Sequence, residues 1–343
     1  MPAYLSQLQS TIPRHWLYIL RNRTELGVAV VAVLFTLVFA VTTQGVWLRA
    51  QNILEIVRVT SVLAILAFGQ ALVITTGEID ISVGSVFGIA GILYLAMATF
   101  LGALPAALLA LVGSAAIGAL NGFVVARLRI PSLIVTLGTL FIFRGLAYAI
   151  FQNAPSFGAD AFLRAQPAYK MLGGGSVFGL NSAVWWALLL LGILNYLLFF
   201  TPWGNWLLAI GGDAESAFSR GIDIRKVKGS AFVACALLAG LAGILEASDL
   251  AYVDGSFGRQ RELEAIAAAV LGGCALAGGR TSLIGTFIGA FILSSIQSYL
   301  VINAISPQWF ILLLGAIVVL VSLFDRMLSR WLLIWSMQAR RGE

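Results

Sequence analysis

Between Thr75 and Gly84 the chain reads Thr-Thr-Gly-Glu-Ile-Asp-Ile-Ser-Val-Gly, so two carboxylates, three hydroxyls and two glycines interrupt a long apolar stretch. A charged side chain at bilayer depth costs several kcal/mol, so Glu78 and Asp80 must face a cavity or a partner. Glycines permit a break in a helix, and the freed backbone groups then line a polar pocket. Such a pocket could bind a polar solute or relay protons. An ordinary cytoplasmic turn between two spans is the other reading of the same residues.

A second polar segment runs Arg261-Glu262-Leu263-Glu264-Ala265-Ile266, followed by Leu271-Gly272-Gly273-Cys274-Ala275-Leu276-Ala277-Gly278-Gly279-Arg280. Its acids mark a helix start, which the macrodipole favours. Its paired glycines allow close packing or a re-entrant break. Further polar residues are scattered through apolar runs: Gln70, Asn121, Thr136, Thr139, Arg144, Glu246, Asp249, Gln297 and Asn303. Some should line a path and others should staple helices. The phosphate-loop signature G-x-x-x-x-G-K-[ST] does not occur, nor do H-E-x-x-H, G-x-S-x-G or a Cys/His cluster. The chain is therefore not expected to hydrolyse ATP, hold a metal or cofactor, or carry a catalytic constellation.

Residues 201–228 hold an ordered polar loop. Asp213 can cap a short helix with Glu215 in its first turn, and Gly221 can end it.

These segments sit in a chain of 343 residues that is 60% hydrophobic and only 10% charged. Soluble domains carry about 25% charged residues. Apolar runs of spanning length, roughly 20 residues each, fill nearly the whole chain. They do not alternate as barrel strands do. The expected fold is all-α, a polytopic transmembrane helix bundle of about ten spans. The spans are expected near 25–44, 53–76, 84–101, 104–126, 132–152, 183–200, 229–248, 263–278, 282–302 and 308–324. GSVFG at 84–88 resembles GTFIG at 285–289, and IGAL at 117–120 resembles IGAF at 288–291. With the fourth and ninth spans running oppositely, this fits an inverted five-plus-five repeat. Chance likeness between small-residue helices is the alternative.

The net charge of +6 would point to nucleic acid in a soluble protein. Here it is read as lysines and arginines gathered in cytoplasmic loops. Arg14, Arg21 and Arg23, then Arg127 and Arg129, then Arg220, Arg225, Lys226 and Lys228, then Arg326, Arg330, Arg340 and Arg341 all fall on one side if both termini are cytoplasmic. Arg49, Arg58, Arg259 and Arg261 run against the pattern. The expected organisation is a cytoplasmic tail at 1–24, a transmembrane domain at 25–326 and a cytoplasmic tail at 327–343. An interfacial helix is expected near Trp16–Leu20. Cys235 and Cys274 lie in apolar runs and read as small buried hydrophobes.

Four ordered motifs carry a family resemblance. The first is Gly77-Glu78-Ile79-Asp80-Ile81-Ser82-Val83-Gly84. The second runs through Asn121-Gly122, Ala126, Pro131, Ile134, Thr136-Leu137-Gly138-Thr139-Leu140 and Arg144-Gly145. The third is Gly211-Gly212-Asp213-Ala214-Glu215-Ser216-Ala217, with Gly221-Ile222-Asp223-Ile224 and Lys226-Val227-Lys228. The fourth spans Glu262 to Arg280. Over residues 40–330 the chain resembles the permease subunits of bacterial ATP-binding-cassette (ABC) sugar importers of the ribose and xylose type, which have autoinducer and branched-chain amino-acid relatives.

The resemblance implies a non-catalytic inner-membrane subunit that translocates a pentose-like monosaccharide. Its partners would be an ATP-binding subunit, a second permease copy, identical or related, and a periplasmic sugar-binding protein. The 211–228 loop would be the coupling element that docks on the ATP-binding subunit, through Asp213, Glu215, Ala217 and Gly221. The path would present Gln70, Glu78, Asp80, Ser82, Asn121 and Gln297 to sugar hydroxyls. Glu78 stands where Gly or Ser is usual, Gln260-Arg261 where Gly-Tyr is usual, and Cys274-Ala275 where Thr-Ser is usual. These departures bear on which substrate is carried. The alternatives are a proton-coupled secondary transporter with Glu78 and Asp80 as relay, or an ABC permease for branched-chain amino acids or a signalling furanosyl compound.

Overall fold

The computed structural model describes residues 24–151 and 156–320, together with residue 323. The helix expected near Trp16 and the basic clusters of both tails lie outside the described residues. Among those described, eight helices are long and apolar enough to cross a membrane. They are α1 (Thr24–Thr42), α2 (Ala50–Thr75), α3 (Val83–Leu101), α4 (Ala103–Leu128), α5 (Ser132–Ile150), α7 (Ser182–Phe200), α10 (Ile224–Leu250) and α12 (Leu283–Ile302). Shorter helices stand between them: α6 (Ala161–Ala165), α8 (Pro202–Gly212), α9 (Ala214–Ser219) and α11 (Arg261–Leu271). A last apolar helix, α13, covers Gln308–Leu320. The protein is an all-α polytopic membrane bundle.

Two helices form its centre. The C-terminal part of α2, from Thr60 on, carries no charged residue, and an element apolar on all its faces is buried. Every residue from Thr60 to Thr75 is buried accordingly. α10 packs against α2, α3 and α4 at once. α1, by contrast, lies at the edge and rests on α12.

One end of the bundle carries the connection 76–82, the turn 129–131, the loop 201–223 and the turn 272–282; it is called the loop end below. At the opposite end β1 (Phe157–Gly158) pairs antiparallel with β4 (Tyr252–Val253), and β2 (Ser176–Val177) pairs with β3 (Leu180–Asn181).

The span expected over 263–278 takes a different form. α11 has 11 residues and stops at Leu271, followed by the non-helical turn 272–282. Eleven residues rise only about 16 Å, half the hydrocarbon thickness of about 30 Å. Glycines on the neighbouring helices decide how this half-helix is held. On α3, a Cβ built on Gly84 would sit 1.8 Å from Glu262 Oε2, and one on Gly88 would sit 2.5 Å from the Phe257 carbonyl oxygen. On α12, a Cβ on Gly285 would meet the Gly272 carbonyl oxygen at 2.0 Å, and one on Gly289 the Ala268 carbonyl oxygen at 2.3 Å. The two glycine pairs therefore receive the segment 257–272 near its two ends, Gly84 and Gly88 against Phe257 and Glu262, Gly285 and Gly289 against Ala268 and Gly272.

Candidate functional site

The connection 76–82 joins α2 to α3 at the loop end, and its middle folds into the bundle. Gly77 takes φ +79°, a left-handed turn that frees the chain from α2. The Gln70 carboxamide then meets the backbone of Asp80, accepting from its N–H at 3.3 Å and donating to its carbonyl at 3.0 Å. The segment is thus neither an interruption within one span nor a solvated turn. It is a connection between two spans whose centre is buried.

Side chains from two further helices hold it. The Ser82 N–H and hydroxyl both donate to Asp80 Oδ1, at 2.8 and 2.6 Å. Asn121 on α4 donates to Ser82 Oγ at 2.9 Å, and Thr139 on α5 donates to Asn121 Oδ1 at 2.9 Å. The N–H groups of Ile79 and Ile81 donate to the hydroxyls of Ser132 and Thr136, at 3.3 and 3.1 Å. Asp80 is 1% exposed and Gln70, Ser82 and Asn121 are 0% exposed, so the network is closed to solvent in this conformation.

Of the six residues expected on a path, the structure joins four here: Gln70, Asp80, Ser82 and Asn121. Glu78 lies beside them and takes Lys228 of α10 as its partner, with Lys228 Nζ donating to its Oε1 at 2.5 Å. Gln297 stands apart from the group, exposed on α12.

The loop 201–228 begins with α8, so it is more helical than the sequence indicated. Asp213 ends α8 and caps α9, accepting from the N–H groups of Glu215 and Ser216 at 3.0 and 3.1 Å and from the Ser216 hydroxyl at 2.6 Å. The Ser216 hydroxyl bond leads in holding the Asp213 carboxyl below the usual aspartate range. Asp223 caps α10 through the Lys226 N–H, which lowers its pKa in the same sense. Gly221 closes the loop at φ +84°. Asp213 and Glu215 are exposed, whereas Ala217 is buried and seats α9 on the core. A rigid backbone platform binds the two regions: a Cβ on Gly211 would lie 1.8 Å from the Thr75 carbonyl oxygen, and the Gly279 N–H donates to that same oxygen at 3.0 Å.

No pairing for the intramembrane charges was readable from residue order, and the structure supplies one. Arg261 bridges Glu246 at 2.5 Å and Glu264 at 2.6 Å, and its guanidinium lies 5.9 Å from the Phe87 ring centroid. Arg144 on α5 reaches Glu262 at 3.5 Å and the Gly258 carbonyl oxygen at 3.1 Å. Arg58 on α2 pairs with Asp249 on α10. The available signal was that charges inside spans must find one another. Arg58 and Arg261, read as cations on the wrong side of the membrane, are thus neutralised inside the bundle. Cys235 and Cys274 are both free and buried.

The family described as "Branched-chain amino acid transport system / permease component" matches residues 52–322. The chain belongs to this permease family. It is 33% identical over 302 residues to the ribose import permease protein of Escherichia coli strain K12, covering 87% of this chain and 92% of that one. It is 31% identical over 302 residues to an L-arabinose ABC transporter permease protein of Azospirillum brasilense, covering 86% of each. It is 32% identical over 310 residues to an autoinducer 2 import system permease protein of Salmonella typhi, covering 90% of this chain and 87% of that one. No solved structure matches the chain.

Proposed function

We propose that this chain is the membrane-spanning subunit of an ABC importer that carries a monosaccharide of the pentose class across the inner membrane. The observation that carries the reading is the near full-length likeness to permeases named for ribose and arabinose import. ATP would be hydrolysed by a separate subunit seated on the exposed face of α9, around Asp213 and Glu215. A binding protein would deliver the sugar at the opposite end of the bundle. Both termini would be cytoplasmic. The pairing of Arg58 and Arg261 with acids of the bundle supports that orientation, because it gives two of the four cations that opposed it a structural role.

A second permease copy, identical or related, would complete the path, and exposed Gln297 on α12 is suited to a surface shared with it. In alternating access, nucleotide closure pushes on α9, and the Thr75–Gly211–Gly279 junction passes that motion to α2 and the connection 76–82. Gln70, Asp80, Ser82 and Asn121 satisfy one another in the closed arrangement. On opening, they would exchange those hydrogen bonds for sugar hydroxyls, with Glu78 at their edge.

The test is uptake in proteoliposomes holding this chain, an ATP-binding subunit and a binding protein. ATP-dependent accumulation of a labelled pentose is the expected result. Uptake by this chain alone, driven by a proton gradient, would overturn the reading. The family description names branched-chain amino acids and one relative is named for autoinducer 2. Competition by leucine or by a furanosyl signal in the same assay would reassign the substrate within the class.

A further inference from the structure

A cavity of about 920 Å³ opens at the loop end, between the end of α4, the turn before α5 and the start of α10. Its lining is of two kinds. Ile130, Pro131 and Phe218 are apolar, and Arg127, Arg129, Arg225 and Lys228 supply cations. Lys228 is taken by Glu78, and the neighbouring Lys226 is taken by Asp223 at 3.3 Å. Arg127, Arg129 and Arg225 are exposed and form no ion pair among the described residues. Three uncompensated guanidiniums around one concavity call for an anion.

A second, narrower cavity of about 190 Å³ extends the first along the seam between α4 and α10. The two share Ala126, Arg127, Arg225 and Lys226, and the narrow one continues past Phe123 to Gly122 and Gly229. There the helices touch: a Cβ on Gly122 would lie 2.9 Å from the Gly229 Cα. Gly229 is the sixth residue of α10, so the groove reaches about 8 Å along that helix from its start. Beyond it the same side of α4 offers exposed Phe123, Leu120, Ala119 and Ala116, an apolar strip continuing along the span.

We infer that this groove is a binding site for an anionic phospholipid, with the phosphodiester held by Arg127 and Arg225, Arg129 at the rim, and an acyl chain along Phe123 and Leu120. Guanidinium forks match phosphate oxygens in geometry as well as in charge. Basic pockets between spanning helices at the membrane surface suit anionic headgroups. A soluble phosphate would use the cations but leave the apolar seam without a purpose. A lipid uses both. Bound there, it would clamp the start of α10 to the end of α4 and so stiffen the base of the docking loop. The inference does not depend on the transport reading, since lipid binding is measured on the chain alone.

The experiment is native mass spectrometry of the full chain in detergent, with phosphatidylglycerol and phosphatidylcholine added at equal concentration. Phosphatidylglycerol adducts are expected to be retained roughly tenfold or more over phosphatidylcholine, because each arginine near a lipid surface contributes measurably to anionic binding. Arg127→Gln with Arg225→Gln should bring the two lipids level, while Arg127→Lys with Arg225→Lys should keep most of the preference. If the double glutamine variant does not fold, Arg225→Gln alone, on the exposed first turn of α10, should still lower it. Equal retention of both lipids by the unaltered chain would overturn the inference. So would an unchanged preference in a folded glutamine variant. Displacement of the lipid by excess inorganic phosphate would overturn it in favour of a soluble anion.

Discussion

Lys228 Nζ donates to Glu78 Oε1 at 2.5 Å, joining the second turn of α10 to the buried connection between α2 and α3. α10 leaves directly from the loop 201–223, so this bond links that loop to the polar network around Asp80. Both side chains are mostly withdrawn from solvent, 17% and 19% exposed. Glu78→Gln and Lys228→Met should each lower stability by about 1–2 kcal/mol, between the values for exposed and buried pairs. The double variant should lose less than the sum, which a thermal-unfolding double-mutant cycle in detergent would read.

Asp80→Asn keeps the oxygen that accepts from Ser82 but places an amide where Oδ2 has no hydrogen-bond partner among the described residues. We expect pentose uptake to fall while insertion and assembly persist. Unchanged uptake would reduce 76–82 to a structural connection. Asn121→Leu removes the bridge between Ser82 and Thr139 and should cost about 1–2 kcal/mol, because both hydroxyls keep one other partner.

Neighbouring glycines in the loop 201–223 should differ sharply. A Cβ on Gly211 would collide with the Thr75 carbonyl oxygen and the Gly279 N–H, at 1.8 and 2.3 Å, whereas nothing lies within 4 Å of one on Gly212. Gly211→Ala should destabilise by about 1–3 kcal/mol, as overpacking does. Gly212→Ala should be close to neutral. Similar melting temperatures for the two variants would mean that the Thr75–Gly211–Gly279 junction is not a tight one.

The cap of α9 sets a pH dependence. The folded Asp213 carboxyl lies below its ordinary pKa, so its stabilisation is complete above the usual aspartate value and is lost as pH falls through the depressed one. Protection of the Glu215 and Ser216 amides against hydrogen exchange should be flat from about pH 5 to 8 and fall below about pH 4. Asp213→Ala should remove it throughout. A step near neutral pH would show that another group controls the loop.

Arg261→Met leaves Glu246 and Glu264 without their shared cation. The loss should approach about 3 kcal/mol, in the range for a broken buried pair. Adding Glu246→Gln and Glu264→Gln should restore part of it. Equal stability of the single and triple variants would show that the three charges do not act together.

Much of this protein was legible without a fold. Low charge and long apolar runs required a helical membrane bundle, because backbone groups in lipid must be satisfied within each segment. The Asp213 cap and the Gly221 stop were readable too, since both act over three or four residues of chain. The half-helix Arg261–Leu271 was legible only as one of two readings of its paired glycines. Its apolar run has the length of a span, and only the turn at Gly272, pressed against Gly285, shows where it ends.

The sequence alone therefore determined the class of the molecule, the place of most of its spans and the local caps, all of which depend on composition and short-range geometry. Tertiary structure alone decided which polar groups meet. Gln70 with Asp80, Asn121 with Ser82, Lys228 with Glu78 and Arg261 with Glu246 are brought together from separate segments of the chain. Their partners follow from how α2, α4, α5 and α10 pack, and residue spacing along one chain does not encode distance between helices.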